Sequence, residues 1–402
     1  MMRLWEAIEA ARRSMEDVIL RTPIIYSDTF SKLTGREVFL KLENLQKTGS
    51  FKVRGAYNKI VHLGPDEKRK GVVAASAGNH AQGVAFASSL LGIRTTIVMP
   101  QAASLAKQMA TRAYGGEVLL FGQNTDEALA RAQALAQEGR SFIHPFDDDE
   151  VIAGQGTIGL EILEDLPEVE AIVVPVGGGG LIAGISTIVR KRRPSVEVIG
   201  VEASNAQPAL VSLRRKRRVE VQIKPTLADG IALRKVGERT FPIIQKNVSE
   251  ILTVREDEIA SAILLLMERK RILAEGAGAA PLAALLSGRW KGKAKRIVLV
   301  ISGGNIDIHL LDRILEKGLA RTGRLLRLEV LLRDVPGALS ELTSLVARNQ
   351  ANILHIFHER TARDVPLGFS QVVLTLETRG FDHIRQVQKG LKDYGYEMKR
   401  LV

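Results

Sequence analysis

Apolar residues along the chain fall into two recurring kinds of segment. Short, nearly uninterrupted apolar runs alternate with longer stretches whose apolar positions return every three or four residues. The first long stretch, 4–20, puts Leu4, Ile8, Ala11, Met15, Val18 and Ile19 on one stripe and predicts an amphipathic helix. Arg21-Thr22-Pro23 ends it, because proline disfavours helix at the residue before it. Residues 37–43 alternate as a strand. From 71 onward the pattern is regular, with strands expected over 72–75, 95–99, 117–121 and 141–144 and helices over 81–91, 104–114 and 125–137. A second series has strands over 171–176, 196–201 and 296–301, and helices over 156–166, 181–193, 256–269, 278–286 and 306–320. Strands separated by helices imply parallel sheets with helical crossovers. The expected fold class is therefore α/β, with two parallel-sheet subdomains and a cleft between them.

After the short basic stretch Arg321-Thr322-Gly323-Arg324 the order changes. Strands over 326–332, 352–359, 370–377 and 396–401 and helices from 338 to about 349 and over 381–394 give βαββαβ, the ferredoxin-like order. Asp334-Val335-Pro336-Gly337-Ala338-Leu339 stands between the first strand and helix. This resembles an ACT domain, a small amino-acid-sensing module, with a plain oligomerisation domain as the alternative. The expected organisation is a catalytic domain over 1–320, with a smaller subdomain at about 48–148 inserted in it, a linker at 321–325 and an ACT-like domain over 326–402.

Composition narrows the possibilities. With no cysteine there is no disulfide framework and no thiolate metal site or nucleophile, which fits a reducing cytoplasm. No stretch approaches the ~20 apolar residues of a membrane span, so neither membrane nor secretion is expected. The formal net charge is +12, with clusters at Arg190-Lys191-Arg192-Arg193 and Arg214-Arg215-Lys216-Arg217-Arg218. Aromatic residues are only 4% and do not interleave with these clusters, so they read as solvated helix ends or loops rather than a nucleic-acid surface. A positive field also suits a carboxylate substrate.

The candidate chemistry begins at Lys52, in Lys47-Thr48-Gly49-Ser50-Phe51-Lys52-Val53-Arg54-Gly55-Ala56. Thr48, Gly49 and Ser50 read as an N-terminal cap that places Lys52 in the first turn of a helix. There the positive end of the helix dipole disfavours an ammonium, and Phe51 supplies an apolar neighbour. A lysine of lowered pKa is what an imine-forming amine needs. Three further stretches accompany it: Ser76-Ala77-Gly78-Asn79-His80, Gly177-Gly178-Gly179-Gly180-Leu181 and Ser302-Gly303-Gly304-Asn305. In this order, over the first four fifths of the chain, the set resembles the fold-type II pyridoxal-phosphate enzymes, and specifically the threonine/serine dehydratases (threonine ammonia-lyases).

The resemblance implies pyridoxal 5′-phosphate as cofactor, held covalently by Lys52, which then serves as base at the substrate Cα. It implies that Phe51 lies against the cofactor ring, that Asn79 contacts its 3′ oxygen, and that Ser302 bonds its pyridine nitrogen. Glu275 matches a family position near the cofactor, with a helix cap as the alternative. Gly177 to Gly180 and Leu181 follow a strand and open a helix, a setting whose N–H groups suit a phosphate. By itself this could be a dinucleotide loop or a bare turn, and the resemblance to the dehydratase glycine-rich loop decides. Ser76, Ala77, Gly78, Asn79 and His80 are the expected substrate-binding segment, with His80 structural rather than basic. Asp334, Gly337 and Ala338 are the expected effector-binding residues. No metal is assigned: Glu202 could be a ligand, but Pro208 stands where related metal-dependent enzymes carry a second acid.

The implied activity is deamination of L-threonine to 2-oxobutanoate and ammonia, and of L-serine to pyruvate, with a branched-chain amino acid as effector and a homo-oligomer, dimer or tetramer, as assembly. The alternatives are a serine or hydroxyaspartate racemase-dehydratase on the same scaffold, and a non-catalytic amino-acid sensor. Related racemases carry a second serine where this chain has Ala77, which moves no proton.

Overall fold

The computed structural model describes residues 2–361 and 365–401; the outermost ends of the expected domains, residues 1 and 402, lie outside the described residues. The chain forms two compact units, Met1–Ile306 and Asp307–Val402. The division thus falls before the helix expected at 306–320 and not at 321–325.

The first unit opens with α1 (Leu4–Met15), which buries Ile8, Ala11 and Met15. It ends at Met15 with Glu16 as its C-cap, short of residue 20. The pattern did not reveal β1 (Ile24–Tyr26) or α2 (Asp28–Thr34), which precede the expected β2 (Glu37–Leu42). Next come α3 (Lys52–Val61) and α4 (Pro65–Lys70), then β3 (Val72–Ala75), α5 (Asn79–Leu90), β4 (Thr95–Met99), α6 (Leu105–Ala113), β5 (Glu117–Leu120), α7 (Thr125–Gln137) and β6 (Ser141–Phe142). Strands β3 to β6 make a parallel sheet in the order β5-β4-β3-β6.

Helix α8 (Asp149–Asp165) begins seven residues before the expected position. Asp148 caps it by accepting the N–H groups of Glu150 and Val151. Glycines at 154, 156 and 159 look like helix breakers in sequence. In the fold they allow close helix contact: a Cβ on Gly154 would stand 2.6 Å from the Arg54 carbonyl oxygen on α3. The chain continues through β7 (Ala171–Pro175), α9 (Gly180–Arg192), β8 (Glu197–Ala203), α10 (Pro208–Arg215), α11 (Thr240–Asn247), β9 (Glu250–Val254), α12 (Glu256–Leu265), α13 (Gly276–Leu286) and β10 (Arg296–Ile301). Of these, α10, α11 and β9 were not predicted. Helix α12 ends early in a π-helical turn, Leu266–Lys270, followed by Arg271 at φ 59°. The larger sheet has the order β1-β2-β10-β7-β8-β9, parallel except for β1. Its last strand in sequence, β10, lies between β2 and β7. Both basic clusters end helices, α9 and α10, with Arg190 to Arg193 and Arg214 to Arg217 exposed.

The second unit contains α14 (Ile308–Arg321), β11 (Leu325–Arg333), α15 (Ala338–Arg348), β12 (Asn352–Glu359), β13 (Phe369–Glu377), α16 (Phe381–Asp393) and β14 (Met398–Arg400). The antiparallel sheet order β12-β13-β11-β14 is the ferredoxin-like arrangement that the βαββαβ order implied.

One buried charge cluster fixes α3. Arg54, 1% exposed, donates from Nε and Nη2 to the two carboxylate oxygens of Glu43, both at 2.8 Å. It also donates to Glu161 of α8, at 2.6 and 3.0 Å. Lys41 of β2 completes the set by donating to Glu161 and to the Thr22 carbonyl. Two cations thus face two carboxylates with their hydrogen bonds made, which is how buried charge is tolerated. Removing one partner strands an opposite charge in the core. Arg54→Met is expected to lower unfolding free energy by about 3–5 kcal/mol, read as a lower urea midpoint; an unchanged midpoint would mean that α3 is held by packing alone.

Candidate active site

The four sequence stretches meet around one cleft of about 390 Å³ in the first unit. Phe51, Lys52, Ser76, Ala77, Gly78, Asn79, His80, Gly177, Gly178, Gly179, Gly180, Leu181, Glu275 and Ser302 all line it.

Lys52 is the first residue of α3, as expected, but the expected cap is not formed. Phe51 is the N-cap and offers no side-chain acceptor, while the hydroxyls of Thr48 and Ser50 are buried without a partner. The loop is instead stitched to the end of β10. Phe51 N–H donates to the Ser302 carbonyl (3.0 Å), Gly304 N–H to that of Gly49 (2.9 Å), and Ser50 bridges Gly303. Lys52 Nζ donates to the Pro145 carbonyl (2.8 Å) and stands 5.3 Å from the centre of the Phe51 ring. Burial pushes its pKa down to about 8, with Glu275 opposing. Loss of hydration, rather than the helix dipole, is therefore the main cause.

The glycine loop ends β7 and opens α9. Its N-cap, Gly179, has φ 94° and no side chain to accept the first-turn N–H groups. These orphan donors and the positive helix end suit an anion. The loop is glycine-rich for a second reason, which sequence did not reveal. Phe146 packs directly behind it, and a Cβ on Gly178 would overlap the Phe146 ring.

Asn79 opens α5 and donates from Nδ2 to both carboxylate oxygens of Glu275, at 2.8 and 2.9 Å. Asn305 in turn donates to Asn79 Oδ1 (2.8 Å). Glu275 occupies the N-cap position of α13 but makes no cap hydrogen bond with its side chain. Burial raises its pKa to about 7, with the Asn79 hydrogen bond opposing. His80 Nε2 is bonded to the Ile143 carbonyl (2.8 Å), and burial, with Lys52 adding to it, pushes the ring down to about 3. It stays neutral, and that nitrogen is spent on the backbone. Ser76 Oγ accepts the Gly78 N–H (3.1 Å), which removes one donor from the segment expected to bind a carboxylate. Ser302, 1% exposed, directly follows β10. Glu202 accepts the N–H groups of Ala209 and Leu210 at the start of α10 (2.8 and 2.9 Å), and burial pushes it up to about 8. Its carboxylate is thus engaged with the backbone. Among the described residues no cluster of three or more His, Asp or Glu is arranged to hold a metal.

Pro145, Phe146, Lys107, Asp229 and Gln155 also line the cleft and were missed. None carries a local motif; the fold alone brings them there. The residues present fit pyridoxal phosphate by their chemistry: a desolvated amine, an uncapped helix start for a phosphate, and a hydroxyl at the end of a buried strand.

The second unit has a cavity of about 400 Å³ lined by Asp334, Gly337 and Ala338 together with Leu332, Val335, Leu339, His358 and Arg360. Gly337 caps α15, and Arg360 pairs with Asp334 at 2.9 Å.

Comparison with known proteins agrees with this geometry. Residues 15–303 match the family described as pyridoxal-phosphate dependent enzyme, and 326–393 match the ACT domain. The chain is 51% identical over 395 residues, 98% of each sequence, to an L-threonine ammonia-lyase of Thermotoga maritima. Its fold is similar to the processed form of threonine deaminase isoform 2 from Solanum lycopersicum, with TM-score 0.75 and 39% identity over 78% of this chain and 92% of that one. It is also similar to maize serine racemase, with TM-score 0.74 and 32% identity over 79% and 98%. The amine, the helix start and the matched length lead to one conclusion: this chain belongs to the pyridoxal-phosphate dependent enzyme family and carries a C-terminal ACT domain.

Proposed function

We propose that this enzyme is an L-threonine ammonia-lyase, converting L-threonine to 2-oxobutanoate and ammonia and accepting L-serine to give pyruvate. The observation that carries the reading is Lys52, a half-buried amine that lines the cleft and whose pKa desolvation pushes down to about 8. The near-full-length likeness to an L-threonine ammonia-lyase supports the choice of substrate.

Bound pyridoxal phosphate supplies an electron sink for the carbanion that forms at the substrate Cα. The chain's own residues do the rest. Lys52 holds the cofactor covalently and, once released, takes the Cα proton. The first-turn N–H groups of α9, with Gly177, Gly178, Gly179, Gly180 and Leu181, hold the phosphate. Phe51 would lie against the ring and Ser302 would meet the ring nitrogen as a neutral hydroxyl, while Asn79, braced by Glu275 and Asn305, would serve the ring oxygen. The α5 start, Ser76 to His80, receives the substrate carboxylate. Ala77 supplies no second proton carrier, which favours elimination over the racemisation named for the maize protein.

The ACT cavity takes a branched-chain amino acid, isoleucine or valine. Its apolar wall of Leu332, Val335 and Leu339 suits the side chain, and the charges of Asp334 and Arg360 suit the two ends of a zwitterion. Threonine deamination then serves isoleucine synthesis under effector control, in a cytoplasmic dimer or tetramer with neither nucleic acid nor membrane as partner. Among the described residues no helix is long and apolar enough to cross a membrane.

Three outcomes test this reading. Lys52→Ala should retain weak cofactor binding while 2-oxobutanoate formation falls on the order of a thousandfold or more; near-normal turnover would remove Lys52 from the mechanism. In the cofactor-free protein, reductive methylation of Lys52 followed by peptide mass spectrometry should rise with pH around a midpoint near 8. The unprotonated amine reacts, so an ordinary surface lysine would rise some two units higher; a midpoint near 10 would refute the burial argument. Isoleucine or valine should shift the full-length enzyme's threonine response by about 1–3 kcal/mol of coupling, and Asp334→Ala should abolish the shift. An equal response in that variant would move the effector elsewhere.

A further inference from the structure

Between β6 and α8 runs a short segment, residues 143–147, that belongs to none of the sequence motifs. Most of it is spent on holding other parts of the cleft. The Ile143 carbonyl accepts from His80 (2.8 Å), and the Pro145 carbonyl accepts from Lys52 Nζ (2.8 Å). Phe146 backs the glycine loop with both ring and carbonyl; a Cβ on Gly180 would stand 2.9 Å from that carbonyl oxygen. The Asp147 carboxylate accepts the N–H groups of Glu238 and Arg239 (both 2.8 Å) and of Thr240 (3.3 Å). Thr240 then donates its hydroxyl to the Gly178 carbonyl (2.7 Å). One segment therefore touches three of the four motif stretches.

The segment is itself held by His144. Its Nδ1 accepts the backbone N–H groups of Asp147 (2.8 Å) and Phe146 (3.3 Å), folding residues 144–147 into a tight turn. Its ring stands edge-on to Phe146 and Phe142, with centroids 4.7 and 6.0 Å away. An Nδ1 that accepts must carry no proton. Burial pushes the ring's pKa below its ordinary value; Asp147 opposes this, Lys52 adds to it and Asp148 opposes.

We propose that His144 is a positioning residue: by accepting the N–H groups of Phe146 and Asp147 it sets both the carbonyl that seats the Lys52 amine and the ring that backs the glycine loop. Two halves of the cofactor site, the covalent anchor and the anion cradle, are thereby held in register by one imidazole nitrogen. This rests on the cofactor family and not on the choice of threonine as substrate.

Two full-length variants separate the acceptor from the ring. His144→Phe keeps an aromatic ring of similar size but removes the acceptor. His144→Asn loses the ring but places an amide oxygen near the position of Nδ1. Hydrogen exchange at Phe146 and Asp147 in the cofactor-free protein, and pyridoxal phosphate affinity by equilibrium dialysis, are read for both; neither involves turnover. Loss of the acceptor should speed exchange at both amides and weaken cofactor affinity by roughly tenfold or more, the scale of one lost buried hydrogen bond. The Asn variant should restore protection and come within a few-fold of the wild type. Unchanged affinity in the Phe variant, or equal loss in both, would overturn the proposal. If the Phe variant does not fold, the Asn variant decides alone: wild-type affinity supports the acceptor role, and a tenfold loss overturns it. Because no amino-acid substrate is present, failure here leaves the threonine reading standing, and the converse also holds.

Discussion

The cleft depends on a helix that cannot slide. Arg54 forks between Glu43 and Glu161, and α3 and α8 approach so closely that a Cβ on Gly55 would meet Val151 and Gln155 and one on Gly154 would meet Arg54 and Gly55. A buried guanidinium is costly unless all its N–H groups are met by charge, and a planar fork meets carboxylates only in a narrow range of orientations. The arrangement therefore acts as a locating pin. Lys52 lies two residues before Arg54 on the same helix, so its backbone position follows from the pin. Its amine is then left to be set by what lies across the cleft.

That separation explains the electrostatics. The chain carries 57 lysines and arginines, of which Lys52 and Lys107 line the cleft. Lys52 differs in that its half-buried ammonium is partly desolvated and bonded to a carbonyl rather than a carboxylate; Glu275 acts from a distance and is itself raised to about 7 by burial. A direct ion pair would have kept the lysine protonated and idle. Asn79 instead holds the Glu275 carboxylate through its amide.

Much of this was legible in sequence, and the failures have physical reasons. Strand–helix alternation located the parallel strands of both sheets except the weakly patterned β9, and the four motifs converged because each lies where a strand meets a helix. Residues 149–155 fell outside the expected helix, yet α8 starts at Asp149 and its Gly154 lies where the backbone of α3 leaves no room for a side chain. The hydroxyls of Thr48 and Ser50 suggested a cap, but the loop found backbone partners in residues 302–304 instead. Pro145 and Phe146 carried no signal, since a carbonyl and a packing ring have no spacing rule. The strand order of the second unit was readable, and its two central strands, β11 and β13, largely alternate between a buried and a more open face.

The position of β10 has a consequence for how the protein is made. It is the last strand of the larger sheet to leave the ribosome, yet it lies between β2 and β7. Without it β2 and β7 each lack a pairing partner, and unpaired strand edges are prone to mispairing. Asn305, just beyond it, reaches back to Thr48 across 257 positions. An interrupted translation product therefore has the lysine without the loop partners that seat it.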